Sequence, residues 1–370
     1  MPHIAQALRL AEAALYLTSP NPRVGCVLVN PAGQVIGQGH TQMAGGPHAE
    51  IMALRDAQAL THSTHGATAY VTLEPCAHQG RTGPCCEALA QAGIARVVAS
   101  VQDPNPLVAG QGFAKLRAAG IAVEVGPGAT ESRELNIGFF SRMQRQRPWM
   151  RLKVAASLDG ATALDNGKSQ WITGAAARTD GHAWRARACA VLTGVGTVLQ
   201  DQPLLDVRHV ATARQPMLVI VDSALQTPPD AALFGPERQV LIYAAQPHAG
   251  REAALRTSGA DIVYLPGPTG DDGRAPKVDL QAMAQDLARR ECNEVHIEAG
   301  HQLNGSFLRA GLVDELLVYL APLWLGQGAG MSNFGPLSEL AQGLALDFQS
   351  TQHIGPDLRI QARVRGSADF

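Results

Sequence analysis

Charge is what this sequence has little of. Lysine, arginine, aspartate and glutamate make up 17% of the 370 residues and nearly cancel, leaving a net charge of −2. A chain this close to neutral has no general electrostatic grip on nucleic acid, and no basic stretch interleaved with aromatics supplies a local one. Long apolar runs are also missing. None approaches the roughly 18–20 residues needed to span a bilayer, which excludes a membrane-spanning helix. No secretory segment is expected near the start, because Ile4, Ala7, Leu8, Ala11 and Leu15 recur at helical spacing with Arg9 and Glu12 between them. The six cysteines therefore read as reduced thiols, and a cytoplasmic location is expected. The dinucleotide fingerprint is incomplete as well. Thr193-Gly194-Val195-Gly196-Thr197 ends a strand pattern and opens a helix, but the third glycine is absent.

What is present is chemistry at close spacing. His48-Ala49-Glu50, Pro75-Cys76 and Cys85 supply three zinc ligands and a carboxylate. A catalytic zinc takes three protein ligands and keeps a fourth corner for water, whose pKa falls to roughly 7. His48, Cys76 and Cys85 fill the three corners, and Glu50 is left free to move a proton between that water and a departing amine. This is the His-x-Glu and Pro-Cys pattern of zinc deaminases, with Ala77 to Pro84 standing where the pattern usually has two residues. The insert is polar and rich in turn formers, so it can loop out while both thiols reach one ion. Its His78 and Arg81 read as substrate contacts. Cys26, Cys189 and Cys292 read as buried fillers, and Cys86 as a neighbour of the site. A closed structural zinc site is the competing interpretation, and it has no use for Glu50.

At this length, with 46% hydrophobic residues, two domains with full cores are expected. Residues 1–146 alternate strands (Val24–Val29, Ala69–Thr72, Val97–Ser100) with helices, among them one opening at His48, one over Glu87–Ala92 and one over Glu131–Gln144. The basic run Arg142 to Arg147 before Pro148 reads as a solvated linker, with the boundary near 147. Residues 147–370 carry strand patterns at Arg151–Ala156, Ala190–Gly194, Met217–Asp222, Val240–Ala244, Asp261–Leu265, Glu294–Glu298 and Glu315–Ala321. Their continuous apolar runs suit a buried, largely parallel sheet. Helices over Ala175–Ala186, Leu280–Arg290 and Ser306–Ala310 make this a second α/β layer structure.

Several of these segments together resemble the bifunctional riboflavin-biosynthesis deaminase/reductase family. They are Pro20 to Gly25, Pro47 to Glu50, Thr72 to Thr82, Asp103 to Pro106, Lys153, Ala156 to Gly160, Ser169 to Thr173, Asp314-Glu315 and Ala321-Pro322. The long cysteine spacing is this family's own form. The resemblance implies an α/β protein with a cytidine-deaminase-like α/β/α domain over 1–146 and a dihydrofolate-reductase-like α/β domain over 147–370. The first is a zinc-dependent deaminase of a diaminopyrimidine ribosyl phosphate, and the second reduces the ribosyl group to ribityl with NADPH.

Carried onto this sequence, the resemblance assigns zinc to His48, Cys76 and Cys85 and the proton shuttle to Glu50. Asn21, His40, His78, Arg81, Asp103 and Asn105 are its pyrimidine and sugar-phosphate candidates. Ala155, Trp171, Thr197, Asp201, Ser223, Gly300, His301, Gln302, Leu303, Asn304, Gly305 and Ser306 match cofactor positions. Ser169, Arg185, Leu205, Arg208 and Glu298 match substrate positions, where a guanidinium fork suits phosphate oxygens. Lys153 reads either as polarising the opened sugar or its imine during hydride delivery or as a strand-end surface lysine. His301-Gln302 and Gly83 depart from the family pattern without removing a reacting group. The implied partners are a small phosphorylated pyrimidine and further copies of the chain, with neither nucleic acid nor membrane. A nucleoside or transfer-RNA deaminase with an unrelated second domain, and a non-catalytic zinc and nucleotide binder, are the rival readings.

Overall fold

The structure, a computed structural model, describes residues 2–77, 83–268 and 275–370. It divides into two compact units, Met1–Gln146 and Arg147–Phe370.

In the first unit, α1 (Pro2–Ala13) precedes β1 (Gly25–Val29) and β2 (Val35–His40). There follow α2 (Ala49–Ala59), β3 (Thr68–Val71), α3 (Cys85–Gln91) and β4 (Arg96–Ala99). The unit closes with α4 (Gln111–Ala118), β5 (Ala122–Val125), α5 (Ala129–Leu135) and α6 (Ile137–Arg145). The sheet order is β2-β1-β3-β4-β5. β1 is antiparallel to both neighbours, and β3, β4 and β5 run parallel. All of β1 is buried, as its Gly-Cys-Val-Leu-Val run requires. β2 positions the site. A Cβ on Gly39 would fall 2.7 Å from Ala53 N and 2.9 Å from Ala49 O, so glycine there lets the backbone of α2 lie directly on the strand.

Two expectations are corrected in this region. The single helix over 131–144 is two helices broken at Asn136. The Asn136 side chain accepts from Arg23 N (2.7 Å) and donates to Arg23 O (2.9 Å), holding the chain that leads into β1. The basic run is not a solvated linker either. Arg142 lies over the Phe139 ring, Arg145 bonds Ser141, and Arg147 pairs with the fully buried Asp314 at 2.6 Å.

The second unit opens with β6 (Trp149–Ser157), β7 (Ala163–Leu164), α7 (Ala175–Arg187), β8 (Ala190–Gly194) and α8 (Val195–Asp201). It continues through β9 (Met217–Val221), β10 (Val240–Ala244), α9 (Ala249–Thr257), β11 (Ala260–Tyr264) and α10 (Leu280–Arg289). β12 (Glu294–Ile297), α11 (His301–Arg309), β13 (Glu315–Ala321), β14 (Gly328–Ala329), β15 (Leu346–Ile354) and β16 (Asp357–Val364) complete it. Nine strands run β11-β10-β9-β8-β12-β6-β13-β16-β15. The order is parallel through β13, and β16 and β15 add an antiparallel edge. β7 and β14 form a separate two-stranded ribbon.

The two faces of the central strands differ chemically. Met150, Leu152 and Val154 of β6 and Val295 and Ile297 of β12 enter one apolar core with Phe307 and Leu287. The alternate residues, Arg151 and Lys153 beside Glu294, His296 and Glu298, face the other way. Arg151 and Glu315 are each only 1% exposed. Such charges survive burial only when paired. Arg151 reaches Glu315 at 2.5 Å and Glu294 at 3.1 Å, and Arg187 reaches Glu294 at 2.7 Å. Arg151 also lies over the ring of Trp184 on α7, 4.5 Å from its centroid.

Replacing Gly39 by valine is expected to push α2 off β2 and to lower unfolding stability by about 1–3 kcal/mol. Denaturant unfolding followed by circular dichroism checks it, and an unchanged midpoint would contradict the close approach.

Candidate active sites

His48 stands in extended conformation immediately before α2, Cys76 lies in the segment after β3, and Cys85 is the first residue of α3. His48 Nδ1 is 3.5 Å from Cys76 Sγ and 3.4 Å from Cys85 Sγ, and the ligand atoms of all three lie within 4.8 Å of one another. Metal–ligand bonds of about 2.0–2.3 Å in a tetrahedron give edges of roughly this length, so the donor set fits zinc. The N–H of Cys85 donates to Cys76 Sγ at 3.3 Å. That thiol is pulled far below its ordinary value, chiefly by its hydrogen bond with Cys85, while Cys85 is pushed up by the same interaction. A divalent cation bound here would displace the thiol protons. Cys86 is buried beside them and bonds through its backbone N–H to Cys76 O, outside the ligand set.

Glu50 lies in the first turn of α2 and is 3% exposed. Burial first, and then the Cys76 sulfur, push its carboxyl up to about 7. A group poised there can both take and give a proton near neutrality.

A second buried carboxylate, which sequence reasoning missed, fixes the thiol segment. Glu74 accepts from the N–H groups of Asp103 (3.1 Å), Gly110 (2.9 Å), Gly112 (2.8 Å) and Phe113 (3.2 Å). Lys115 Nζ donates to Ala77 O at 2.8 Å. A Cβ on Gly112 would fall 2.0 Å from Pro75 O. The start of α4 is thus pinned to both sides of Pro75-Cys76. The available signal was an acidic residue directly before Pro-Cys, in a segment otherwise expected to be buried.

The other predicted residues of this unit are placed less closely. The Asp103 side chain accepts from Asn105 N, and the Asn105 side chain accepts from Leu107 N, so both shape the loop tied to Glu74. His40 ends β2 with Nδ1 3.1 Å from Thr41 O, and Asn21 sits in a turn through its bond to Thr18 O. His78 and Arg81 lie outside the described residues.

The second unit contains a cavity of about 950 Å³. Lys153 and Ala155 of β6, Arg185 of α7 and Glu298 line it, as do Ser169, Trp171, Thr197, Asp201, Leu205, Arg208 and Gly300 to Asn304. Three predicted residues are not on this wall. Ser223 Oγ accepts from Val278 N, Gly305 packs against the Asn333 backbone, and Ser306 bonds Gln302 O. Trp171 is 66% exposed, with Arg178 over its ring at 4.6 Å. Ser169 Oγ donates to Asp201 at 3.3 Å.

Glu298 is the electrostatic centre of the cavity. Burial alone would raise its carboxyl, but Arg185 and Lys153 hold it well below the usual range. Arg185 grips it with Nε and with Nη2 at 3.0 Å, and Lys153 Nζ stands 3.5 Å away. Arg185 Nη1 donates to Asp206 O at 2.9 Å. Its fork is therefore committed to protein groups, whereas the Arg208 side chain, paired once with Asp206, stays 43% exposed. Of the two arginines expected to meet phosphate, Arg208 is the freer.

Residues 2–101 match the cytidine and deoxycytidylate deaminase zinc-binding region, and residues 148–360 match the RibD C-terminal domain. The riboflavin biosynthesis protein RibD of Escherichia coli is 42% identical over 96% of this chain and 97% of its own length. That of Aquifex aeolicus is 38% identical over 96% and 95%. Among solved structures, Acinetobacter baumannii RibD superposes with a TM-score of 0.87 at 42% identity, covering 98% of each chain. A Thermotoga maritima diaminohydroxyphosphoribosylaminopyrimidine deaminase/5-amino-6-(5-phosphoribosylamino)uracil reductase gives 0.85 at 29% identity, again over 98% of each.

The purified protein is expected to carry about one zinc ion per chain. Cys76→Ala and Cys85→Ala should lose it and Cys86→Ala should keep it, as read by elemental analysis. Full zinc content in either of the first two variants would remove the proposed ligand set.

Proposed function

Because the chain belongs to the RibD family of riboflavin biosynthesis proteins, we propose that it deaminates diaminohydroxyphosphoribosylaminopyrimidine and then reduces the ribosyl group of the resulting uracil to ribityl with NADPH. It is a bifunctional enzyme with a zinc-binding deaminase domain and a reductase domain. Relatives matched over nearly its whole length favour this over a deaminase with an unrelated appendage. The observation that supports the first reaction best is Glu50, buried beside a His-Cys-Cys set and poised to exchange a proton near neutrality.

In the deaminase, His48, Cys76 and Cys85 would hold zinc, which supplies a Lewis acid that lowers the pKa of water. Glu50 takes the proton from the attacking water and returns it to the leaving amine, so ammonia departs and a carbonyl remains on the ring. Glu74 and Lys115 keep the thiol segment in register with the loop bearing Asp103 and Asn105. That loop, with Asn21 and His40, is assigned to the pyrimidine and its sugar phosphate.

In the reductase, Trp171, Thr197, Asp201 and Gly300 to Asn304 are assigned to the nicotinamide cofactor, which supplies hydride. Lys153 Nζ stands 3.5 Å from Glu298 and is placed to donate to the ring oxygen as the sugar opens and its first carbon becomes electrophilic. Glu298 and Ser169 orient the sugar, and Arg208 neutralises the phosphate. A homo-oligomer belongs to this reading through the family.

Glu50→Gln is expected to lower ammonia release by about 10²–10⁴-fold while retaining zinc and sparing NADPH oxidation on the deaminated intermediate. Incubating wild-type protein with the diaminopyrimidine ribosyl phosphate, with and without NADPH, and weighing the products by mass spectrometry tests both steps. Loss of both activities together in Glu50→Gln would refute their independence.

A further inference from the structure

A buried strand position flanked by Val295 and Ile297 would ordinarily carry another apolar side chain, yet β12 has His296 there, fully buried. It shares a face with Glu294 and Glu298, and its register partner on β6 is Arg151. Neither ring nitrogen makes a well-aligned hydrogen bond. The nearest charged acceptor is Glu298, whose Oε1 lies 3.4 Å from Nε2. Such a group must be accounted for, because an unsatisfied buried donor is costly.

Resting on the assignment of Glu298 to the sugar of the substrate, we propose that His296 is a positioning residue for the reduction, donating its Nε2–H to Glu298 and fixing the carboxylate toward the cavity. The charged groups around it explain why an imidazole serves and a further cation would not. Arg151 and Lys153 on β6 and Arg185 and Arg187 on α7 already face Glu294 and Glu298, so a protonated ring would be a fifth positive charge there. Burial first, and then Arg151 and Arg185, hold the His296 imidazole below its ordinary pKa despite the opposing pull of Glu298. A neutral ring carries one N–H. With Glu298 as its acceptor, that hydrogen belongs on Nε2.

Glu298 is otherwise held from two sides, by the fork of Arg185 and by Lys153. His296, two residues before Glu298 on the same strand face, adds a third contact to the carboxylate, its Nε2 3.4 Å from Oε1. The contact is longer than an ordinary hydrogen bond and not well aligned. It is expected to shorten when sugar hydroxyls draw Glu298 into place.

The test is steady-state reduction of the deaminated ribosylamino substrate by full-length protein, with His296→Leu, His296→Gln, Glu298→Gln and the double variant His296→Leu/Glu298→Gln. Leucine fills the space without a donor, and glutamine restores a neutral N–H. His296→Leu should lower kcat/KM for the pyrimidine substrate about tenfold, the worth of a hydrogen bond to a charged group. The KM for NADPH should change less than about twofold, and glutamine should recover most of the loss. In the Glu298→Gln background the leucine substitution should cost less than about twofold, since coupled groups are not additive. Thermal unfolding and cofactor binding verify that each variant is folded.

If folded His296→Leu reduces substrate at the wild-type rate, or if its loss is the same with and without Glu298, the proposal is overturned. If Glu298→Gln itself leaves every constant unchanged, the assignment of Glu298 fails, and the proposal with it.

Discussion

The deaminase half depends on one convergence: an imidazole before one helix and a thiol at the start of another must meet a second thiol carried by neither. Cys85 follows Cys76 by nine positions, so local chain stiffness cannot bring the sulfurs together. The surrounding fold does. Gly39 lets α2 settle onto β2 and thereby sets His48. Glu74, buried and saturated by four backbone N–H groups, locks the Pro75-Cys76 segment to α4. With both sides fixed, Glu50 is placed beside the donor set and cut off from solvent, and that burial raises its carboxyl to about 7, which suits the proposed proton shuttle.

The reductase half solves a different problem. Its sheet keeps one apolar core on one face, and on the other a second apolar core along β8 to β11 gives way to buried charge at β6 and β12. The first layer, Arg151 with Glu294 and Glu315, is sealed and serves the fold. The next layer toward the strand ends, Lys153 and Arg185 with Glu298, opens into the cavity. A sealed ionic layer gives the open one a rigid base, and preorganised charge is what orients substrate without reorganisation during reaction. In the proposed function the deaminase's product is the reductase's substrate, and each unit has its own core.

How legible this was from sequence varied with how local the cause is. Ala190–Gly194 and Glu315–Ala321 stand out as strands because their burial makes them apolar. The edge strand β15 does not, since nearly all of it is exposed and polar residues fall on both sides. β2 was missed because Gly37 and Gly39, poor strand formers, are there for the approach of α2. The convergence of His48, Cys76 and Cys85 was legible because ligand chemistry admits few residue types. Glu74 and His296 were not, because each acts through backbone groups or a carboxylate that only the folded register brings near. The same limit applied to Arg185, whose guanidinium suggested phosphate until its fork was found on Glu298 and the Asp206 carbonyl.

The central claim is an open zinc site with one imidazole and two thiolates. Zinc-edge X-ray absorption of the intact protein tests it most directly. The account predicts two sulfurs at about 2.3 Å and two lighter atoms at about 2.0–2.1 Å, the imidazole nitrogen and a water. A shell of three or four sulfurs would mean a closed site that recruits Cys86 or other thiols, and would contradict it.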